Sequence, residues 1–170
     1  MTASEGGGDI LARERDAFLE RMLQSARGTP SAETGTGGAT MTVHDIPAAS
    51  KGLRELVIKP GMAESDAEAS MQFLGPFNQC SLGVVRFSGR TPWERHPDGD
   101  ELLHVLEGEI DVTVLGDGGP AHAALRAGSV FVVPRGLWHQ QFAPAGAALL
   151  FATPADTTEH SWAEDPRPKA

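Results

Sequence analysis

An all-β sandwich or barrel is the fold class that the sequence predicts, with one amphipathic helix set apart near the N-terminus. Three observations carry this. Beyond residue 41, about eight to ten short runs of strand-forming residues follow one another, punctuated by glycine and proline. Helical spacing of apolar residues is confined to residues 9–27. Ile110, Val112 and Val114 alternate with Asp111 and Thr113, the mark of a strand buried on one face.

Taken in order, residues 1–8 are small and polar and end in Gly6-Gly7-Gly8, a composition that predicts disorder. Leu11, Phe18, Met22 and Leu23 then recur at helical spacing, with Asp9 placed to cap the start and Gly28 and Pro30 to end the run. An isolated helix of this length is marginal in water, so it requires a surface, either on a partner subunit or on its own domain. Residues 28–40 have the composition of a flexible linker. The folded domain is expected over residues 41–155, and a start at Met41 would still encode all of it.

Within that domain, Leu53 to Lys59 is followed by the break Pro60-Gly61, and Ser70 to Leu74 by Gly75-Pro76. Cys80 to Phe87 precedes Ser88-Gly89, and Trp93 to His96 is stopped by Pro97-Asp98-Gly99. Glu101 to Leu106 and the strand through Val114 are separated by Glu107-Gly108. His122 to Leu125, Val130 to Val133, Trp138 to Phe142 and Ala147 to Ala152 complete the series. Residues 156–170, polar and acidic with further prolines, are expected to form a surface tail.

The chain has 170 residues, 40% apolar and 22% charged, which suits one soluble domain with a real core. A formal net charge of −9 opposes nucleic acid and anionic membrane surfaces as partners. Cys80 is the single cysteine, so no intramolecular disulfide forms, and its place in a strand-like run points to a small buried side chain. No apolar run approaches the ~18–20 residues of a membrane span, and the first residues lack a secretory pattern. A cytoplasmic location is the expectation.

Two stretches hold the chemistry. One runs from Trp93 through His96 and Glu101 to Gly108; the other runs from Gly128 through Pro134 and Gly136 to His139. Residues of equal parity in a strand share a face, so Glu94 and His96 point the same way. Glu101 lies across a tight turn from His96 and shares its face with Leu103 and Val105. His104 falls on the opposite face and is expected at the sheet surface or in a subunit contact. The bend Pro134-Arg135-Gly136 aims His139 at the same point. Two imidazoles and a carboxylate suit a first-row divalent metal with open positions for oxygen or substrate. Glu94 is either a further ligand or an inward carboxylate that meets substrate.

At these residues the chain resembles the cupins, whose motifs are G-x5-H-x-H-x3–4-E-x6-G and G-x5-P-x-G-x2-H-x3-N. Gly89 stands near the opening glycine, and His96, Glu101 and Gly108 keep the remaining spacing. Gly128, Pro134, Gly136 and His139 fit the second motif, with Ala143 where asparagine is usual. The resemblance covers roughly residues 50–155. It implies a double-stranded β-helix, or jelly-roll barrel, often homodimeric and usually holding one metal. Transferred residue by residue, the ligand set is Glu94, His96, Glu101 and His139, with Glu94 in the place of the first histidine of the family's pair. A carboxylate there favours iron(II), manganese(II) or zinc over copper, with nickel a further candidate.

Two functions follow. The first is a metalloenzyme acting on a small organic molecule, as a dioxygenase, isomerase or cyclase, in which Glu94, if not a ligand, is the general base. The second is a non-catalytic small-molecule- or metal-binding cupin, a sensor or accessory protein. A metal-free sugar epimerase would call for an acid–base pair such as His and Tyr, and the chain has no tyrosine. Trp93, Phe131, Trp138 and Phe142 are expected as barrel core, with an apolar substrate pocket as the alternative. Arg95 faces away from His96 and is expected in a surface ion pair, Arg135 is a candidate partner for a substrate carboxylate, and Asp98 and Asp100 serve the turn.

Overall fold

The computed structural model describes residues 42–59, 69–155 and 157–168. The expected helix over 9–27 and its linker lie outside the described residues. A short helix, α1 (Ile46–Gly52), opens the described part, where the sequence predicted none. Seven residues are too few to show a helical period, but the start is encoded: Asp45 Oδ1 accepts from Ala48 N at 3.0 Å, and Pro47 pre-sets the first turn.

The rest is β-structure, as expected. The strands are β1 (Leu56–Ile58), β2 (Met71–Phe77), β3 (Cys80–Arg90), β4 (Trp93–Arg95) and β5 (Glu101–Gly116). They continue as β6 (Gly119–Arg126), β7 (Val130–Val133), β8 (Trp138–Pro154) and β9 (Glu159–Ser161). One sheet joins them and curls into a jelly-roll barrel. β8 pairs antiparallel with both β3 and β5 along most of its length and also meets β4. β5 takes β6 and β7 on its other edge, β3 takes β1 and β2, and β4 takes β9.

β5 and β8 are each one long strand where the sequence predicted two. Gly108, read as a strand end, is a bend at φ +78°, matched in β8 by Gly146 at φ +87°, and the register shifts beside Gly108 in the β5–β8 ladder. A Cβ on Gly108 would stand 2.3 Å from Gly146 O, so the two strands turn this corner in contact. Pairing on both sides carries the hydrogen bonds through, and a bulge with glycine at φ > 0 supplies the curvature. Gly75-Pro76 likewise lies inside β2, which pairs only with β3 among the described residues and so tolerates proline.

Alternation along β5 places Leu103, Val105, Ile110 and Val112 in the core with Phe87, Leu149 and Phe151. Trp93, Leu115 and Trp138 form a second cluster at one end. Among the described residues, no helix is long and apolar enough to cross a membrane.

Candidate metal centre

The short strand β4 ends beside Pro97, and the following turn brings Glu101 to the start of β5. Asp100 Oδ1 accepts from Arg135 N at 2.7 Å, and Gly136 N donates to His96 O at 2.9 Å, so the two motif loops are fastened to each other. Gly136 makes its turn at φ +76°, a conformation costly for any side chain with a Cβ. β8 then begins, and His139 stands directly opposite Glu94 in the β4–β8 ladder.

Glu94, His96, Glu101 and His139 thereby present one ligand atom each, all within 4.8 Å of one another. His96 Nε2 lies 3.6 Å from Glu94 Oε1 and 3.6 Å from Glu101 Oε2. His139 Nε2 lies 2.9 Å from Glu101 Oε2 and 3.8 Å from Glu94 Oε2. The His139 side chain is 0% exposed and that of Glu94 16%. Despite these approaches, His96 Nε2, Glu101 Oε2 and His139 Nε2 are buried without a hydrogen-bond partner among the described residues. Atoms that sit about 2.0–2.2 Å from a common ion stand roughly 3–4 Å from one another. The observed separations match that range, and buried polar atoms facing one another without hydrogen bonds fit donors that share an ion. The residues therefore fit a divalent metal.

Outer contacts orient the donors. Thr158 Oγ1 is 3.1 Å from His96 Nδ1; with Nδ1–H donating to it, Nε2 keeps its lone pair free. Thr153 Oγ1 donates to Glu101 Oε1 at 2.5 Å, which leaves Oε2 turned inward.

Charge is compensated within the cluster. Burial works against the charged form of His96, but Glu94 and then Glu101 override it and raise its pKa to about 9. Burial likewise opposes ionisation of Glu101, yet the facing His139 and His96 imidazoles hold its carboxyl well below the usual range. Glu94 is also held low against burial, chiefly by His96 and with help from His160.

His160 and Thr158 were not anticipated. The expected surface tail instead returns as β9, which pairs with β4 through Glu94↔His160, and His160 Nε2 lies 3.4 Å from Glu94 Oε1. The Thr-x-His alternation in a polar segment was the only local signal. Thr157 Oγ1 donates to Asp98 Oδ2 and ties the start of this return to the turn before Glu101.

The other residues singled out in the sequence fall elsewhere. His104 pairs with Val130 and Leu150 on the outward parity of β5. Arg95 forms an ion pair with Glu159 at 2.5 Å and lies over the Trp138 ring. Arg135 contributes its backbone N–H to Asp100. Cys80 is half-buried rather than buried, with its thiol raised by burial and by the charge of Glu101.

The apolar cavity beside the cluster is not formed by Trp93, Phe131, Trp138 or Phe142. Its walls come from Leu56, Ile58, Met71, Phe87, Leu149 and Phe151, and it reaches Glu94 and Glu101. The tryptophans pack with Leu115, Phe131 packs on the main core, and Phe142 lies under Arg90.

Comparison with known proteins agrees with this architecture. The cupin domain family matches residues 84–152. A germin-like protein of Arabidopsis thaliana, subfamily 2 member 2, is 31% identical over 50% of this chain and 41% of its own length. Oxalate oxidase 1 of Hordeum vulgare is 41% identical over 36% of this chain and 34% of its own. The uncharacterized protein YdbB of Bacillus subtilis is 37% identical over 37% of this chain and 53% of its own. The chain thus spans about half or less of these relatives. Among solved structures, a cupin-2 domain protein of Shewanella frigidimarina aligns with TM-score 0.44 and 26% identity over 50% of this chain and 79% of that one. With both motifs in register on a curled β-sheet, the match over residues 84–152 supports placing this domain in the cupin superfamily.

Proposed function

We propose that the protein is a cupin metalloenzyme acting on a small organic molecule, with iron(II) as the first candidate metal and dioxygenation as the first candidate reaction. The observation that carries this reading is the convergence of three unpartnered buried donor atoms, on His96, Glu101 and His139, beside a cavity. Two histidines with carboxylate are a common donor set for iron(II) oxygenases, and manganese, zinc and nickel accept the same atoms. A bound divalent ion supplies Lewis acidity toward an enol or carbonyl oxygen and, as iron(II), reactivity toward dioxygen. That relatives of part of the chain include an oxalate oxidase supports redox chemistry at such a site without naming the substrate.

The residues divide the remaining work. His96, Glu101 and His139 would hold the ion, with Thr158 fixing His96 and Thr153 fixing Glu101. Glu94 faces the cavity as an anion, since its pKa is held low, and is placed to accept a proton from a bound substrate. The apolar walls exclude water from the reacting group.

Metal content measured by mass spectrometry, on protein purified without chelator or affinity metal, tests the site. Near-stoichiometric metal is expected in the wild type and its loss in His96→Ala, Glu101→Ala and His139→Ala. An absence of metal after reconstitution with iron, manganese, nickel and zinc overturns the reading. Glu94 separates catalysis from simple binding. Glu94→His is expected to abolish turnover in an enzyme, whereas in a non-catalytic binder it would only raise metal affinity.

A further inference from the structure

Beyond the four clustered residues, two polar atoms at the cavity are unaccounted for. Gln141 is 6% exposed, and its amide Oε1 is buried without a hydrogen-bond partner among the described residues. The His160 side chain is 4% exposed, and while Nε2 faces Glu94, Nδ1 is buried and unpartnered. Both residues line the same cavity as Glu94 and Glu101. Their backbones are fixed: Gln141 N donates to Thr91 Oγ1 at 2.9 Å, Thr91 N donates to Gln141 O at 2.9 Å, and His160 is held in the β4–β9 ladder. Buried polar atoms left open on rigid strands beside a cavity are what a bound molecule's polar end would satisfy.

The cavity also restricts what that molecule is. It offers about 100 Å³ and is half open to the outside, room for the head of a small molecule whose body continues into the mouth. Its body is aliphatic and aromatic, from Leu56, Ile58, Met71, Phe87 and Leu149. Among the described residues that line it there is no lysine or arginine, and two carboxylates already face it. A dianion would enter without a countercharge on the protein, whereas a ring with one hydroxyl would bury its body and satisfy an open polar atom.

Building on the metalloenzyme reading, we propose that the substrate is a compact apolar molecule with a single hydroxyl head of the phenol or enol type, not a dicarboxylate, and that Gln141 and His160 are its specificity-determining contacts. The hydroxyl donates its one proton to Gln141 Oε1 or to His160 Nδ1, which is an acceptor while Nε2–H faces Glu94.

Isothermal titration calorimetry on the full chain, metal-stripped and zinc-loaded, tests this with phenol, its isostere toluene, and oxalate. Phenol is expected to bind the wild type at least tenfold more tightly than toluene in both forms, with oxalate weaker than either in the stripped form. Gln141→Leu and His160→Phe are each expected to remove most of the preference for phenol while leaving toluene within about twofold. Equal affinity for phenol and toluene in the wild type overturns the proposal even if the variants fail to fold. Oxalate binding tighter than phenol to the stripped protein overturns it as well, as does phenol binding unchanged in both variants. The metal content of the same samples is read separately. Phenol selectivity in protein that takes up no metal sinks the metalloenzyme reading and keeps the cavity contacts; stoichiometric metal without phenol selectivity does the reverse.

Discussion

Thr158 lies in a segment with no motif, yet it holds the ring of a motif histidine through a single 3.1 Å contact. Removing such an outer partner commonly lowers metal affinity by about 10–100-fold, because the ring loses its orientation and its tautomer preference. Thr158→Val, which keeps the shape and deletes the acceptor, is expected to fall in that range in a zinc competition titration against a chromogenic chelator. Unchanged affinity would mean that the backbone bond from Gly136 N and the packing around the ring suffice to orient His96. At the same scale, the shared parity of Glu94 and His96, and that of Glu101 with Leu103, was legible in the sequence, because alternation in a strand is a local property of the backbone. Which neighbours complete them was not, because Thr153, Thr158 and His160 arrive from β8 and β9.

Among the elements, β5 and β8 show how punctuation misleads. Glycine was read as a strand end at residue 108, and locally nothing distinguishes an end from a bend. The distinction rests on whether the neighbouring strand bends in step, as β8 does at Gly146. Gly108→Ala adds a Cβ at 2.3 Å from Gly146 O and forces a positive φ on a residue that resists it. A loss of about 2–4 kcal/mol is expected, measured by urea denaturation of the metal-free protein. The short strand β9 makes the converse case, being weak in sequence and decisive in place. A chain ended at residue 157 loses Thr158 and His160 together, and Trp93, 8% exposed beside β9, is expected to open to water. A red shift of tryptophan emission with weaker zinc binding would report this; retention of both would show that β9 is dispensable.

At the scale of the whole molecule, the cluster makes stability depend on pH and metal together. In the metal-free protein His96 has its pKa raised from 6.5 to about 9, so its stabilising contribution is complete below about 6.5 and lost as pH rises through 9. Glu101 and Glu94 are lowered from 4.5, so theirs is present above about 4.5 and lost as pH falls. Thermal melts of the chelated protein are expected to show greatest stability between these limits. A metal must displace the His96 proton, so zinc affinity is expected to rise with pH up to about 9. A flat affinity across pH 6.5–9 would contradict the charge compensation described for the cluster. The homodimer that the cupin resemblance implies is proposed here as the solution state, and light scattering should give twice the chain mass of 17.9 kDa.

The sequence by itself determined the β class, the two motif loops, the common face of Glu94 and His96, and the nearness of Glu101 across the turn. Each of these depends on period-two alternation and on turn residues, which neighbouring positions encode. Only the tertiary structure decided that β9 closes on β4, that the cavity draws its walls from β1, β2, β3 and β8 while Trp93 and Trp138 pack elsewhere, and that Gln141 and His160 keep open polar atoms beside Glu94. Those outcomes depend on pairing between segments far apart in the chain, where burial and register are set by the whole barrel.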